Sequence, residues 1–87
     1  MRPARPELRT RKLNPILVRQ MRERRDRLED EIARCEAEIA ACGVGLGNFT
    51  SAEESIRLVK LLDHNRTRLD EMIKEWEQLA LDLEEAR

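Results

Sequence analysis

Aromatic residues are almost missing from this 87-residue chain: Phe49 and Trp76 are the only two, and tyrosine does not occur. Proline is confined to positions 3, 6 and 15 and glycine to 43, 45 and 47, so two long stretches contain neither. No apolar run approaches the roughly 20 residues that cross a bilayer, and the basic N-terminus is followed by no apolar signal core. A soluble, cytoplasmic chain is the expectation. Histidine occurs once, at position 64, and cysteine twice, without CxxC spacing or a neighbouring His cluster, which argues against a zinc site.

What is present is 40% hydrophobic and 40% charged, rich in Leu, Ile, Glu, Arg and Ala. That is the composition of long helices with a narrow buried stripe, enough apolar material for a seam but little for a globular core. Cys35 and Cys42 stand one heptad apart, on one side of a continuous helix and about 10 Å from each other, too far to pair. They read as small buried seam residues in a reducing compartment, with a disulfide between chains as the lesser alternative.

The chain divides around Gly43 to Glu54. Three glycines in five residues predict a reversal there, and Thr50 or Ser51, followed by Glu53 and Glu54, predicts a capped restart. Residues 1–13 form a basic, Pro-containing linker without helical periodicity, suited to a tether or to a polyanion. Asn14 then reads as N-cap and Pro15 as the first helical residue, where its missing N–H costs nothing. The expected fold is all-α: an antiparallel two-helix coiled-coil hairpin over residues 14–87, with helices about 15–42 and 51–86.

In the first arm, heptads counted with Leu28 at d place Val18, Arg25, Ile32 and Ile39 at a, and Met21, Leu28, Cys35 and Cys42 at d. In the second, the expected seam holds Val59, Arg66, Ile73 and Ala80 at a and Leu62, Leu69, Trp76 and Leu83 at d, with Ile56, Leu58, Met72 and Leu79 widening the stripe. A hairpin centred near residue 47 sets Trp76 opposite Val18, Leu69 opposite Arg25 and Arg66 opposite Leu28. Arg25 and Arg66 are then expected to cover the seam with their stems and reach acids such as Glu29 or Asp70. Phe49 is expected to cover the tip.

Charge is unevenly divided. Residues 1–27 carry ten Arg or Lys against three acids, net +7, and residues 28–87 carry seven against fifteen, net −8. Arg19, Arg22, Arg24, Arg25 and Arg27 make a basic run near the base of the hairpin. Two outcomes follow from the pattern: neutralisation by the acid-rich end of the second arm, or an exposed basic strip that contacts phosphate.

Catalytic chemistry is not expected. A two-helix hairpin offers no pocket, His64 falls at an outward f position, and the glycine run follows a helix and lacks the Gly-Lys-Ser/Thr ending of a phosphate-cradling loop. No Asp/Asn/Gly cluster suggests calcium.

Four stretches carry a family likeness: Lys12-Leu13-Asn14-Pro15, the segment Leu28 to Ile39, the restart Phe49 to Glu54, and Glu75-Trp76-Glu77-Gln78-Leu79. Together, over about residues 9 to 86, they resemble the C-terminal domain of ABC-F proteins, duplicated ATP-binding cassette ATPases that act in translation and lack transmembrane segments. The resemblance implies a nucleic-acid-binding appendage, contacting DNA or ribosomal RNA through Arg9, Arg11, Lys12, Arg19 and Arg22, with the ribosome as a wider partner. Neither Walker motif nor the signature motif is in this chain, so ATP hydrolysis, with its ATP and Mg, is expected only of cassettes elsewhere in a longer protein. No cofactor is expected here. A second reading, from a different class, is a protein-interaction or homodimerisation module that buries Ile56, Leu58, Met72 and Leu79 against a partner.

Overall fold

A computed structural model describes residues 14–48 and 51–86. Two helices pack against each other as an antiparallel hairpin: α1, Pro15–Gly47, and α2, Ala52–Glu85. No strand occurs among the described residues. The expected linker and Phe49 lie outside them.

Both helix starts follow from their caps. Asn14 is extended, and its Oδ1 accepts a hydrogen bond from the Ile16 N–H at 2.7 Å, with Pro15 at the first helical position. Ser51 is the cap of α2, its hydroxyl accepting from the Glu54 N–H at 3.0 Å. Glu54, which a capping box would turn back toward Ser51, is instead engaged by Arg57 at 3.0 and 2.6 Å.

The end of α1 departs from expectation. The helix does not stop at residue 42 but runs through all three glycines, none of which has positive φ, and ends at Asn48. There the Asn48 N–H reaches the Val44 and Gly45 carbonyls at 3.1 and 3.2 Å, and its side-chain amide donates to Val44 at 3.1 Å. Glycine costs about 1 kcal/mol relative to alanine in a helix, so tertiary contact must outweigh propensity. Gly45 supplies that contact: a Cβ there would lie 2.9 Å from Leu58 Cδ1, so the bare backbone lets α2 close in. Gly43 and Gly47 face open space. α1 therefore ends at Asn48, and Ser51 caps the start of α2.

The seam of α1 is the one its heptads predict, with Leu28, Cys35 and Cys42 buried and Val18, Met21, Ile32 and Ile39 half-buried. On α2 the stripe is rotated. Leu58, Asn65 and Met72 are buried and Leu79 half-buried, alternating with Leu62, Leu69, Trp76 and Leu83 at the spacing of four and three that a seam requires. Leu62, Leu69, Trp76 and Leu83 are thus a positions and Leu58, Asn65, Met72 and Leu79 are d. The residues expected at a move to the flank: Val59 and Arg66 are exposed, Ile73 and Ala80 half-buried. The physical reason lies in the pair Asn65 and Arg66. One register buries a neutral amide and the other a guanidinium, and the amide is the cheaper group to desolvate.

Leu28, Cys35 and Met72 form the centre of the core, with Ile32, Ile39, Leu69, Trp76 and Leu79 packed around it. The Cys35 thiol donates to the Asn65 carbonyl at 3.1 Å, and Asn65 Nδ2 is buried without a partner. Cross-arm contacts of Arg24 with Glu75, Cys35 with Asn65, and Glu29 with Trp76 are all centred between residues 49 and 53, not 47. The shift follows directly from the longer α1, and it replaces the expected facing pairs.

Candidate nucleic-acid interface

The candidate surface is the base of the hairpin, where α1 begins and α2 ends. Arg9, Arg11 and Lys12 lie outside the described residues. Arg19 and Arg22 are exposed on the first two turns of α1, three residues apart and so on one face. Arg24 and Arg27 share a different face. The run of five arginines is therefore split by helix geometry into two sides with Arg25 between them.

Neutralisation by α2 reaches only part of this run. Arg24 grips Glu75 with two hydrogen bonds, Nε and Nη2 donating at 2.8 and 2.9 Å. This hydrogen bond holds the Glu75 carboxyl below its ordinary value and raises the Arg24 guanidinium above its own. Both side chains are more than a third exposed, so solvent screens the pair and it acts chiefly as an orienting contact. Among the described residues, Arg19, Arg22 and Arg27 form no salt bridge.

Arg25 behaves differently from expectation. Its head reaches neither Glu29 nor Asp70; Nε is buried without a hydrogen-bond partner, and its carboxylate contact is Asp26, with Oδ1 4.0 Å away. Glu29 accepts instead from the Trp76 indole N–H at 2.9 Å, and Asp70 pairs with Lys74 at 3.1 Å. Arg66 points to solvent, outside the seam. Arg25 lines a shallow depression between the arms with Arg22, Ala80, Leu83 and Glu84.

A second depression adjoins it on α2, formed by Trp76, Ala80 and Leu81 between Glu77 and Glu84. Leu81 is 57% exposed there. Sequence reasoning missed the roles of Glu29 and Asn65. A polar residue at the seam spacing 58, 62, 65, 69 was the available signal for Asn65; the Trp76 partner depends on the stagger between arms and had none.

Cys35 and Cys42 are both buried and unpaired, and His64 is exposed, as their positions suggest. Among the described residues no group of His, Cys, Asp or Glu could hold a metal ion. No helix described is long and apolar enough to cross a membrane.

The expected dimer surface needs correction. Leu58 and Met72 are buried and Leu79 half-buried within the chain's own seam, so of the four flanking residues only Ile56 is exposed, beside Val59 and Lys60 near the turn. No family model, curated protein or solved structure matches this chain.

Proposed function

We propose that this hairpin is a non-catalytic appendage that contacts the phosphate backbone of a nucleic acid, DNA or ribosomal RNA, through its base. The observation that carries this reading is the incomplete neutralisation of the basic run: among the described residues Arg24 is clasped by Glu75 of α2, while Arg19 and Arg22 are exposed side by side and form no salt bridge. Arg9, Arg11 and Lys12 extend the same charge toward the N-terminus. Contacts of this kind position a protein on a polyanion without reading sequence. The likeness to ABC-F C-terminal domains supports the same assignment and adds a setting: an ATPase of translation whose cassettes supply ATP-dependent switching while the hairpin supplies contact.

Binding should be weak and salt-dependent. With about five phosphates neutralised, affinity for a fluorescent duplex or a ribosomal RNA fragment should fall by more than tenfold between roughly 50 and 200 mM salt. Arg19→Gln with Arg22→Gln should weaken binding and flatten that salt slope by about two contacts. Absence of binding at the lowest salt rejects the proposal.

The exposed Ile56 and Val59 favour a second reading, assembly with a partner through the turn end. Light scattering across a concentration range separates the two: a monomer with polyanion affinity supports the first, and a dimer indifferent to polyanions supports the second.

A further inference from the structure

The last turns of α2 combine two properties that the phosphate-binding reading does not use. From Glu75 to Ala86 there are five carboxylates, Glu75, Glu77, Asp82, Glu84 and Glu85, and no Lys or Arg. Within that acidic stretch Trp76, Ala80 and Leu81 form an open apolar depression with Glu77 and Glu84 at its sides. Such a surface suits a short segment that is both basic and apolar.

We propose that this depression is the docking site for residues 1–13 of the same chain. Charge complementarity selects this occupant. Residues 1–13 carry five basic side chains, Arg2, Arg5, Arg9, Arg11 and Lys12, against the single acid Glu7, whereas residues 14–86 carry eleven Arg or Lys against seventeen Asp or Glu. The hairpin therefore attracts its own N-terminal segment before any partner arrives, and it holds that segment at an effective concentration no free peptide matches. An indole face such as that of Trp76 attracts arginine by cation–π interaction, and Pro3 and Pro6, spaced as P-x-x-P, are of the kind that aromatic-lined grooves accept.

Position agrees with charge. Asn14 opens α1 at the end of the hairpin where α2 finishes, so the segment starts beside the acidic turns. Thirteen extended residues reach roughly 40 Å, and the depression from Trp76 to Glu84 occupies only about 12 Å of helix. A second copy of the chain could offer the same segment, but only at the cost of association. The intramolecular route is favoured at low concentration.

The inference stands without nucleic acid, so its test contains none. Trp76 is the only tryptophan and reports on the depression directly. In the full chain, raising salt from about 25 to about 500 mM should screen the contact, shift Trp76 emission and move the backbone amide resonances of residues 2–12. Glu77→Lys should produce the same amide movements at low salt. A chain with Arg2, Arg5 and Arg9 changed to Ser leaves the hairpin untouched and should lose the salt response of Trp76, which keeps the test sound even if Glu77→Lys alters folding. The proposal is overturned if the salt response of Trp76 is the same in that chain as in the wild type, or if the amides of residues 2–12 are indifferent to Glu77→Lys in a folded protein. It is equally overturned if the response appears only as concentration rises, which would assign the site to a second copy.

Discussion

The two ends of the hairpin share one heptad pattern yet are held together differently. Toward the turn, small residues of α1, Cys42 and Gly45, let α2 come close, with Leu58 against the bare Gly45 backbone, and the salt bridge seen there among the described residues, Arg57 with Glu54, lies within α2. Toward the base, larger side chains stand between the arms, and polar links cross them, Arg24 to Glu75 and the Trp76 indole to Glu29. The turn end is closed by shape and the base by charge and hydrogen bonding. A consequence is that salt and pH should act on the contact between the arms at the base, whereas at the turn end the titrating pair, Glu54 held below its ordinary value by Arg57, lies within α2 and does not join the arms.

The largest test of this contrast removes what both ends depend on. Leu28 is 0% exposed at the centre of the core, and Leu28→Ala should cost about 2–5 kcal/mol. For a seam this thin that is a large share of total stability, and urea unfolding followed by circular dichroism should show the loss of a cooperative transition.

Asn65→Leu should act in the opposite direction. Its Nδ2 is buried without a partner, so replacing the amide by an apolar side chain of similar size should stabilise the hairpin by roughly 1–3 kcal/mol. The same change should loosen the choice of partner and register that a polar seam residue imposes, seen as higher mass species in light scattering. Unchanged stability would mean that the Cys35 and Asn65 layer costs nothing.

The glycines sharpen the reading of the turn end. Gly43→Ala places its methyl group in open space within a helix and should stabilise by about 0.5–1 kcal/mol. Gly45→Ala should gain less, because Leu58 must move from a contact of 2.9 Å. Equal gains at the two sites in thermal melts would remove the close approach as the reason for Gly45.

The smallest effect belongs to the base. Glu75 titrates below the ordinary carboxylate value of 4.5 because Arg24 hydrogen-bonds its charged form. A carboxylate of lowered folded-state pKa contributes stability that is present above its unfolded pKa and lost as pH falls through the folded one. Wild type should therefore exceed Glu75→Gln in melting temperature at neutral pH, and the difference should close as pH falls through the lowered folded-state value and Glu75 protonates. A difference that persisted at lower pH would assign the contact to packing.

Much of this architecture is legible in the residues. Asn14 with Pro15, and Ser51 with Glu54, announce the two helix starts through hydrogen-bonding chemistry that is local in sequence. The α1 seam is equally plain, since Leu28, Cys35 and Cys42 repeat at seven with few competing apolar neighbours. On α2 the pattern is ambiguous because Leu58 and Val59, Met72 and Ile73, and Leu79 and Ala80 offer adjacent candidates at every turn. Periodicity alone cannot choose between stripes one residue apart; the relative cost of burying Asn65 or Arg66 does. The candidate interface was legible as charge but not as geometry. Its five arginines look continuous along the chain, and only the helix shows that Arg19 and Arg22 stand on one side, Arg24 on another and Arg25 between the arms.

By itself, the sequence determined that two long helices would fold back on each other, where each begins and which face of α1 is apolar, because caps and heptads act over a few residues. Only the tertiary structure decided how far α1 runs, which stripe of α2 is buried and which charges meet. Those outcomes depend on the stagger of one helix against the other. Gly45 under Leu58 and the polar contacts of Cys35 with Asn65, Arg24 with Glu75 and Glu29 with Trp76 set that stagger between residues far apart in the chain.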